Sequence, residues 1–417
     1  MISFWRIFSL ELTALSRSRT LWLLLAASVG YVLLLPHIVT GDGTAEGMRE
    51  LIIRYGLGGV FALLAVCLLA SATGAIASER AAKRLQLSLV RPVSAAVIAS
   101  GKCLAFASVG AAVLAAASVI VLLQAGSGGR CSHVHLPVME SVQTLAEREY
   151  ERYMADTNTP AVIRQADRSD VVRMLSRHIV DSYSTIATNA VQELSFPEVE
   201  LQGAAPSVRI NFASAFGIRQ DVLCDVSFGG YCGTVSNITK TAVTVPLTRA
   251  IPRSPDHVLR LENRGRSDVM LRLRRDVELL VPADSFSANV LRAWLELSAA
   301  LALLSAFGVL LGAGLSRPVA LFTAFAVFAA GMLSPAVIDY YPDSVDASAS
   351  DRAGLMISRA VERATRPVSS LDTLSKLASD DCIEFKDVAT AVFSDFIFWP
   401  LVFSALAGLL VSRKQED

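Results

Sequence analysis

The sequence predicts an α-helical polytopic membrane protein with six transmembrane helices and one inserted α+β domain. Three observations predict it. Apolar residues make up 53% of the chain, above the roughly 45–50% of ordinary globular domains. Six segments, 21–39, 57–76, 93–123, 290–315, 318–338 and 389–411, each offer the run of about 20 apolar residues that a bilayer crossing needs. Between the third and fourth lies one long polar stretch, residues 125–288, large enough to fold around its own core.

Residues 1–20 read as an amphipathic helix. Phe4, Ile7, Phe8, Leu10 and Leu15 recur at helical spacing, with Arg6, Glu11, Arg17 and Arg19 between them, as in a helix lying in the membrane plane. The first span ends in Pro36-His37 with no small-residue cleavage site, so it reads as a retained span and not a signal peptide. The second span runs into another amphipathic segment, residues 78–92. There Ala82, Leu85 and Leu89 share one helical stripe. Arg80, Lys83, Arg84 and Gln86 cover most of the rest, and Leu87 is out of register. Pro92 fixes its own φ and disfavours α geometry at Arg91, so this surface helix stops there and the chain turns into the third span. The plan is therefore 1–20 amphipathic helix, 21–124 spans one to three with the surface helix at 78–92, 125–288 inserted domain, 289–338 spans four and five, 339–388 loop, and 389–417 span six with a tail.

Lys and Arg in short loops set orientation. Arg6, Arg17 and Arg19, then Arg80, Lys83, Arg84 and Arg91, then Arg317, and finally Arg413 and Lys414 all fall on one side of a six-span chain. That side is expected to be cytoplasmic, with both termini. The loop after span five holds Arg352, Arg359, Arg363, Arg366 and Lys376, but long translocated loops escape the rule. Residues 125–288 are then extracytoplasmic. Their first part, 136–193, reads as helical: Glu147 to Arg152 form a charged helix, and Val171, Leu175, His178 and Ile179 an apolar stripe. Their second part, 196–281, reads as strands, with alternation at 208–212 and 269–274. The last strand passes through Pro282 almost directly into span four.

Cys131, Cys224, Cys232 and Cys382 fall in the outside regions, and Cys67 and Cys103 in or beside spans. An even outside number suits an oxidising compartment, and four cysteines allow three pairings. Closeness in sequence favours Cys224 with Cys232, which leaves Cys131 with Cys382. A two-residue turn at Gly229-Gly230 would not put Cys224 opposite Cys232, so that bridge needs a wider loop.

Formal net charge is zero, which gives no sign of a nucleic-acid partner. No phosphate loop, HExxH, CxxC or GxSxG motif occurs, so no catalytic residues, metal or cofactor are expected. His133 and His135 beside Cys131 read as incidental polar residues and not as metal ligands. Ionisable residues inside spans are functional candidates. Glu296 and Asp395 stand out, both near the outer ends of their spans. Arg292, four residues before Glu296, makes a local ion pair the simplest account of that carboxylate.

The order of elements resembles the permease subunit of a type-2 ABC exporter. Ser78-Glu79-Arg80, then Leu85 to Val90, then Arg91-Pro92-Val93-Ser94 and Gly101-Lys102 match that family's coupling-helix loop and its entry to the third span. Val281 to Phe286 and Leu315 to Val319 are similar to members with an outside insert. Ala81-Ala82-Lys83-Arg84 stands where the family usually has Gly-Thr after the glutamate. The resemblance covers residues 1–124 and 277–417. It implies an elbow helix at 1–20 and a separately encoded ATPase, in two copies, docked on Glu79, Arg80, Lys83, Arg84, Leu85, Leu89, Arg91 and Pro92. It also implies a second permease copy or a sister permease, membrane lipid around the spans, and location in the inner (cytoplasmic) membrane. Two other expectations stand beside it. One is an ABC-driven device that transmits force to an envelope partner of the outside domain, or scaffolds envelope assembly, and moves no substrate. The other is a receptor-like signalling protein.

Overall fold

The structure, a computed structural model, describes residues 2–39, 45–82, 94–126, 130–155, 167–182, 184–197, 205–212, 221–238, 242–250, 257–274, 276–340, 354, 356 and 371–416. Its helices are α1 (Ile2–Ser16), α2 (Arg19–Ile38), α3 (Ala45–Leu51), α4 (Gly58–Ala81), α5 (Ala95–Ala125), α6 (Val142–Ala155), α7 (Arg168–Asp181), α8 (Phe286–Gly314), α9 (Arg317–Tyr340), α10 (Leu371–Ala378), α11 (Phe385–Ala391) and α12 (Trp399–Glu416). Two π-helical turns, Ile52–Leu57 and Val392–Phe398, join α3 to α4 and α11 to α12. The chain divides into two compact units. One is residues 1–131, 284–340 and 355–417; the other is 132–283 with 341–354.

The first unit is a helical bundle. Among the described residues, five helices are long and apolar enough to cross a membrane: Arg19–Ile38, Gly47–Arg80, Ala95–Ala125, Phe286–Gly314 and Phe385–Arg413. The sixth expected span, 318–338, falls on α9, whose described apolar stretch, Arg317–Ala330, is shorter. Two of the long helices begin at serine caps. Ser94 Oγ accepts the Val97 N–H, and Ser285 Oγ accepts the Ala288 N–H, both at 3.4 Å.

Small residues let α8 and α4 meet at backbone distance. A Cβ on Gly312 would lie 2.3 Å from the Thr73 carbonyl oxygen, and one on Gly308 2.8 Å from the Ala72 Cβ. Small residues four apart are the usual means of close helix approach in lipid, where apolar burial alone gives no preference for protein over acyl chain. α1 ends at Ser16 and α2 begins at Arg19, with two residues between them, and α1 packs chiefly on α5, so it is a separate helix and not an extension of the first span.

The second unit is α+β. Its strands are β1 (Arg130–His135), β2 (Ser184–Ile186), β3 (Val191–Ser195), β4 (Ser207–Asn211), β5 (Asp221–Phe228), β6 (Tyr231–Ile238), β7 (Ala242–Pro246), β8 (Arg249–Ala250), β9 (Val258–Asn263), β10 (Val269–Leu271) and β11 (Val277–Ser285). One sheet runs β1-β11-β4-β7 and another β3-β9-β5-β6-β8, with β10 paired to β2. Alternate residues face a shared core: Val208 and Ile210, Val277 and Leu279, Val226 and Phe228, Leu259 and Leu261. α6 and α7 bury Ala146, Val171 and Leu175 against each other.

The expected helical lead needs correction. β1 precedes the helices and joins the first sheet, and β2 and β3 begin at Ser184 and Val191, so the strands start inside the stretch read as helix. β3 alternates an exposed Val191 with a buried Leu194, a pattern too short to distinguish by spacing alone. His178 is exposed, off the buried stripe of α7.

The cysteine pairing is half as expected. Cys131 and Cys382 are bridged, with Cα atoms 5.1 Å apart. Cys224 and Cys232 are free thiols. The reason is the turn. Gly229 and Gly230 both have positive φ, which makes a tight two-residue hairpin. Its register sets Cys232 opposite Ser227 and Cys224 opposite Val235. Burial pushes the Cys224 thiol up to about 11, so it stays protonated.

Thiol counting tests this covalent arrangement. The denatured, unreduced chain should label at four of its six cysteines, and Cys131→Ser should label at all five that remain; two labels on the native sequence would mean that Cys224 and Cys232 are bridged after all. The α4–α8 contact makes a second prediction. Gly312→Leu should lower unfolding stability by about 1–3 kcal/mol, the usual cost of overpacking, seen as a reduced thermal midpoint in detergent; Gly30→Leu, where nothing lies within 4 Å of an added Cβ, should leave the midpoint near wild type.

Candidate functional site

The helical unit has polar clusters at its two ends, and each is built by residues far apart in sequence. At one end stands Lys102, in the second turn of α5. It is 3% exposed on a helix otherwise rich in Ala, Val and Leu. Its Nζ donates to Glu11 Oε2 of α1 at 2.8 Å and to Glu79 Oε1 of α4 at 2.9 Å. A lysine head group taken out of water is costly unless paired and hydrogen-bonded. Here two of its three donors meet carboxylates. The cation thus fixes α1 and the end of α4 to the same point of α5.

Arg80 follows Glu79 and turns to a different helix. Its guanidinium donates to the Ala313 carbonyl at 2.7 Å and to the Leu315 carbonyl at 2.6 Å. Those are unpaired C-terminal carbonyls of α8, where a cation also meets the negative end of the helix dipole. Glu79 and Arg80 therefore lock the last turn of α4 to α5 and α8, immediately before the basic loop. The other expected docking residues, Lys83, Arg84, Leu85, Leu89, Arg91 and Pro92, lie outside the described residues.

At the other end, the Cys131–Cys382 bridge sits among polar contacts. Asn289 Nδ2 donates to the Asp381 carbonyl and its Oδ1 accepts the Ile383 N–H, each at 2.8 Å. Arg49 pairs with Asp380 and places its guanidinium 4.3 Å from the Phe286 ring centroid. The segment 380–383 is thus pinned to the last turn of α3, to the start of α8 and, through Cys131, to the chain that leaves α5.

The expected Arg292–Glu296 pair is not formed. Arg292 pairs with Asp284 and donates to the Ile383 carbonyl at 3.3 Å, because those groups lie along its own end of α8. The groups that act on the Glu296 carboxylate are instead Thr373 and Lys376 of α10. Asp395 lies in the second π-helical turn, 7% exposed, and accepts from the Ser394 hydroxyl at 2.5 Å. Glu296 and Asp395 have different partners, Thr373 and Lys376 about the first and Ser394 about the second. His133 and His135 stand on β1, but the Cys131 sulfur beside them is consumed by the disulfide, which removes the thiolate from that Cys-His-His set.

Lys102 and Glu11 were not among the residues that sequence reasoning singled out as a site. The available signal was a lysine well inside an apolar span, which is by default a functional or structural pair in need of a partner.

Lys102→Met should destabilise the bundle by about 3 kcal/mol, since it strands two carboxylates beside apolar α5. The triple change Lys102→Met, Glu11→Gln and Glu79→Gln should recover most of that loss in the same thermal unfolding assay. Equal loss in both variants would show that the pair is not what Lys102 contributes.

No protein-family model, curated protein or solved structure matches the chain.

Proposed function

We propose that this chain is the membrane-spanning permease subunit of an ATP-driven ABC exporter. α9 supplies the sixth crossing. Both termini and the loop at 78–92 face the cytoplasm of a cell bounded by an inner membrane, and residues 125–288 lie outside. A separately encoded ATPase, in two copies, docks on that loop. A second copy of the chain, or a sister permease, completes the pathway. The ATPase, and not this chain, hydrolyses ATP.

The observation that carries the reading is the Lys102 pairing. A docked motor can move a bundle only if its landing site is rigidly joined to the spans. Glu79 and Arg80 give the root of loop 78–92 such a joint to α5 and α8, and Glu11 adds the amphipathic α1 to it. The disulfide supports the orientation. Cys131 and Cys382 belong to the opposite end of α5 from Lys102, as expected if that end faces an oxidising compartment. The basic residues Arg80 and Arg317 belong to the Lys102 end, as the positive-inside rule requires.

A second reading has one observation in its favour. β11 ends at Ser285 and α8 begins at Phe286, with no linker between strand and span. Such a join would carry movement of α8 into the strand, which suits force transmission to an envelope partner without transport.

Charge reversal at Arg84 and Arg91 together should abolish co-purification of the ATPase while expression and thermal midpoint stay at wild-type values. Undiminished co-purification would remove loop 78–92 as the landing site.

A further inference from the structure

Beside α1 the helical unit has an apolar groove of about 560 Å³. Phe4 and Trp5 of α1 form one wall. α5 forms the floor from Val97 to Ala107, and Phe396 and Leu401 of the last membrane helix close the far side. Its polar atoms are few and already engaged. The Ser404 hydroxyl donates to the Cys103 sulfur at 3.6 Å, and the Ser100 hydroxyl donates to the Val97 carbonyl at 3.1 Å. Nothing in the groove asks for a polar ligand, and its walls offer carbon.

Its extent along α5 is informative. From Val97 to Ala107 the helix rises about 15 Å, half of the roughly 30 Å hydrocarbon core of a bilayer. The groove therefore runs the depth of one leaflet, from the start of α5 toward its middle. Trp5, 55% exposed, lines the groove, and an amphipathic indole suits a membrane interface. Exposed Arg6 follows it on α1 and offers a cation at headgroup level.

We propose that this groove binds one acyl chain of a membrane phospholipid, taken from the leaflet in which α1 lies, with the lipid phosphate at Arg6. The occupant follows from three matching properties: a carbon lining, a length of one leaflet, and an exposed aromatic and cation side by side on α1, the helix that walls the groove. The proposal needs only that the bundle sits in a membrane, and stands or falls apart from the exporter reading. A bound lipid would fill space between α1 and the last membrane helix and so make the seat of α1 sensitive to the bilayer.

The test uses the full chain in detergent, titrated with a phosphatidylglycerol brominated near mid-chain, with tryptophan emission as the readout. The expected result is saturable quenching at about one lipid per chain, reversed by unbrominated phosphatidylglycerol. Ser100→Phe, which fills the groove, should weaken the saturable phase at least fivefold. Leu104→Phe serves as a second groove-filling variant, and whichever keeps the wild-type thermal midpoint is scored. Arg6→Gln should weaken binding at least threefold. Leu123→Phe, at the opposite end of α5 and 77% exposed, should leave it unchanged. Quenching that rises without saturation, that survives both filling variants, or that a free fatty acid reverses as well as the phospholipid does, would overturn the proposal.

Discussion

A single buried cation imposes the strongest constraint on the helical unit. Lys102 sits on a helix whose other buried positions are almost all apolar, and a charge there is tolerated only if anions come to it. Glu11 and Glu79 do so from two different helices. Each carboxylate keeps some contact with solvent, whereas the lysine keeps almost none. The desolvation cost therefore falls on Lys102 and is offset only while the carboxylates stay on it; removing the lysine leaves two like charges side by side with no cation between them. Buried ion pairs often contribute little net stability compared with apolar packing. Their better-attested role is to fix register, and that suits this site. α1 has many apolar residues that could slide along α5; only one placement puts Glu11 on Lys102.

The opposite end of the bundle is fixed by different chemistry. The Cys131–Cys382 bridge, the Asn289 contacts to Asp381 and Ile383, and the Arg49–Asp380 pair converge on one short segment. This end is covalent and rigid. The Lys102 end is ionic and adjoins the basic loop. Between them α4 and α8 touch at backbone distance through Gly308 and Gly312. A displacement of Glu79 and Arg80 would thus pass directly to α5 and α8.

Much of this was legible in the sequence, for identifiable reasons. Long apolar runs announce themselves, so the five described helices that are long and apolar enough to cross a membrane fall where hydropathy places them. Serine before such a run marks the true start, as at Ser94 and Ser285. The pairing of Cys131 with Cys382 was reached only as what a Cys224–Cys232 bridge would leave over, and that bridge failed on strand register, which Gly229-Gly230 had already signalled. Strands β2 and β3 were misread because three to five residues carry too little periodicity. Glu296 was assigned Arg292 because sequence shows only neighbours on the same helix; its contact, Thr373, comes from α10. The Lys102 cluster was missed for the same reason. A lysine in a span is visible in sequence, but its partners 91 and 23 residues away are not.

One cation holds both α1 and the end of α4, and hydrogen exchange measures that directly. Amide exchange of the Lys102→Met chain should rise together in residues 2–16 and 74–82 relative to the native sequence, while the disulfide-braced segment 380–390 keeps its protection. A rise confined to one of the first two segments, or absent from both, would contradict the account.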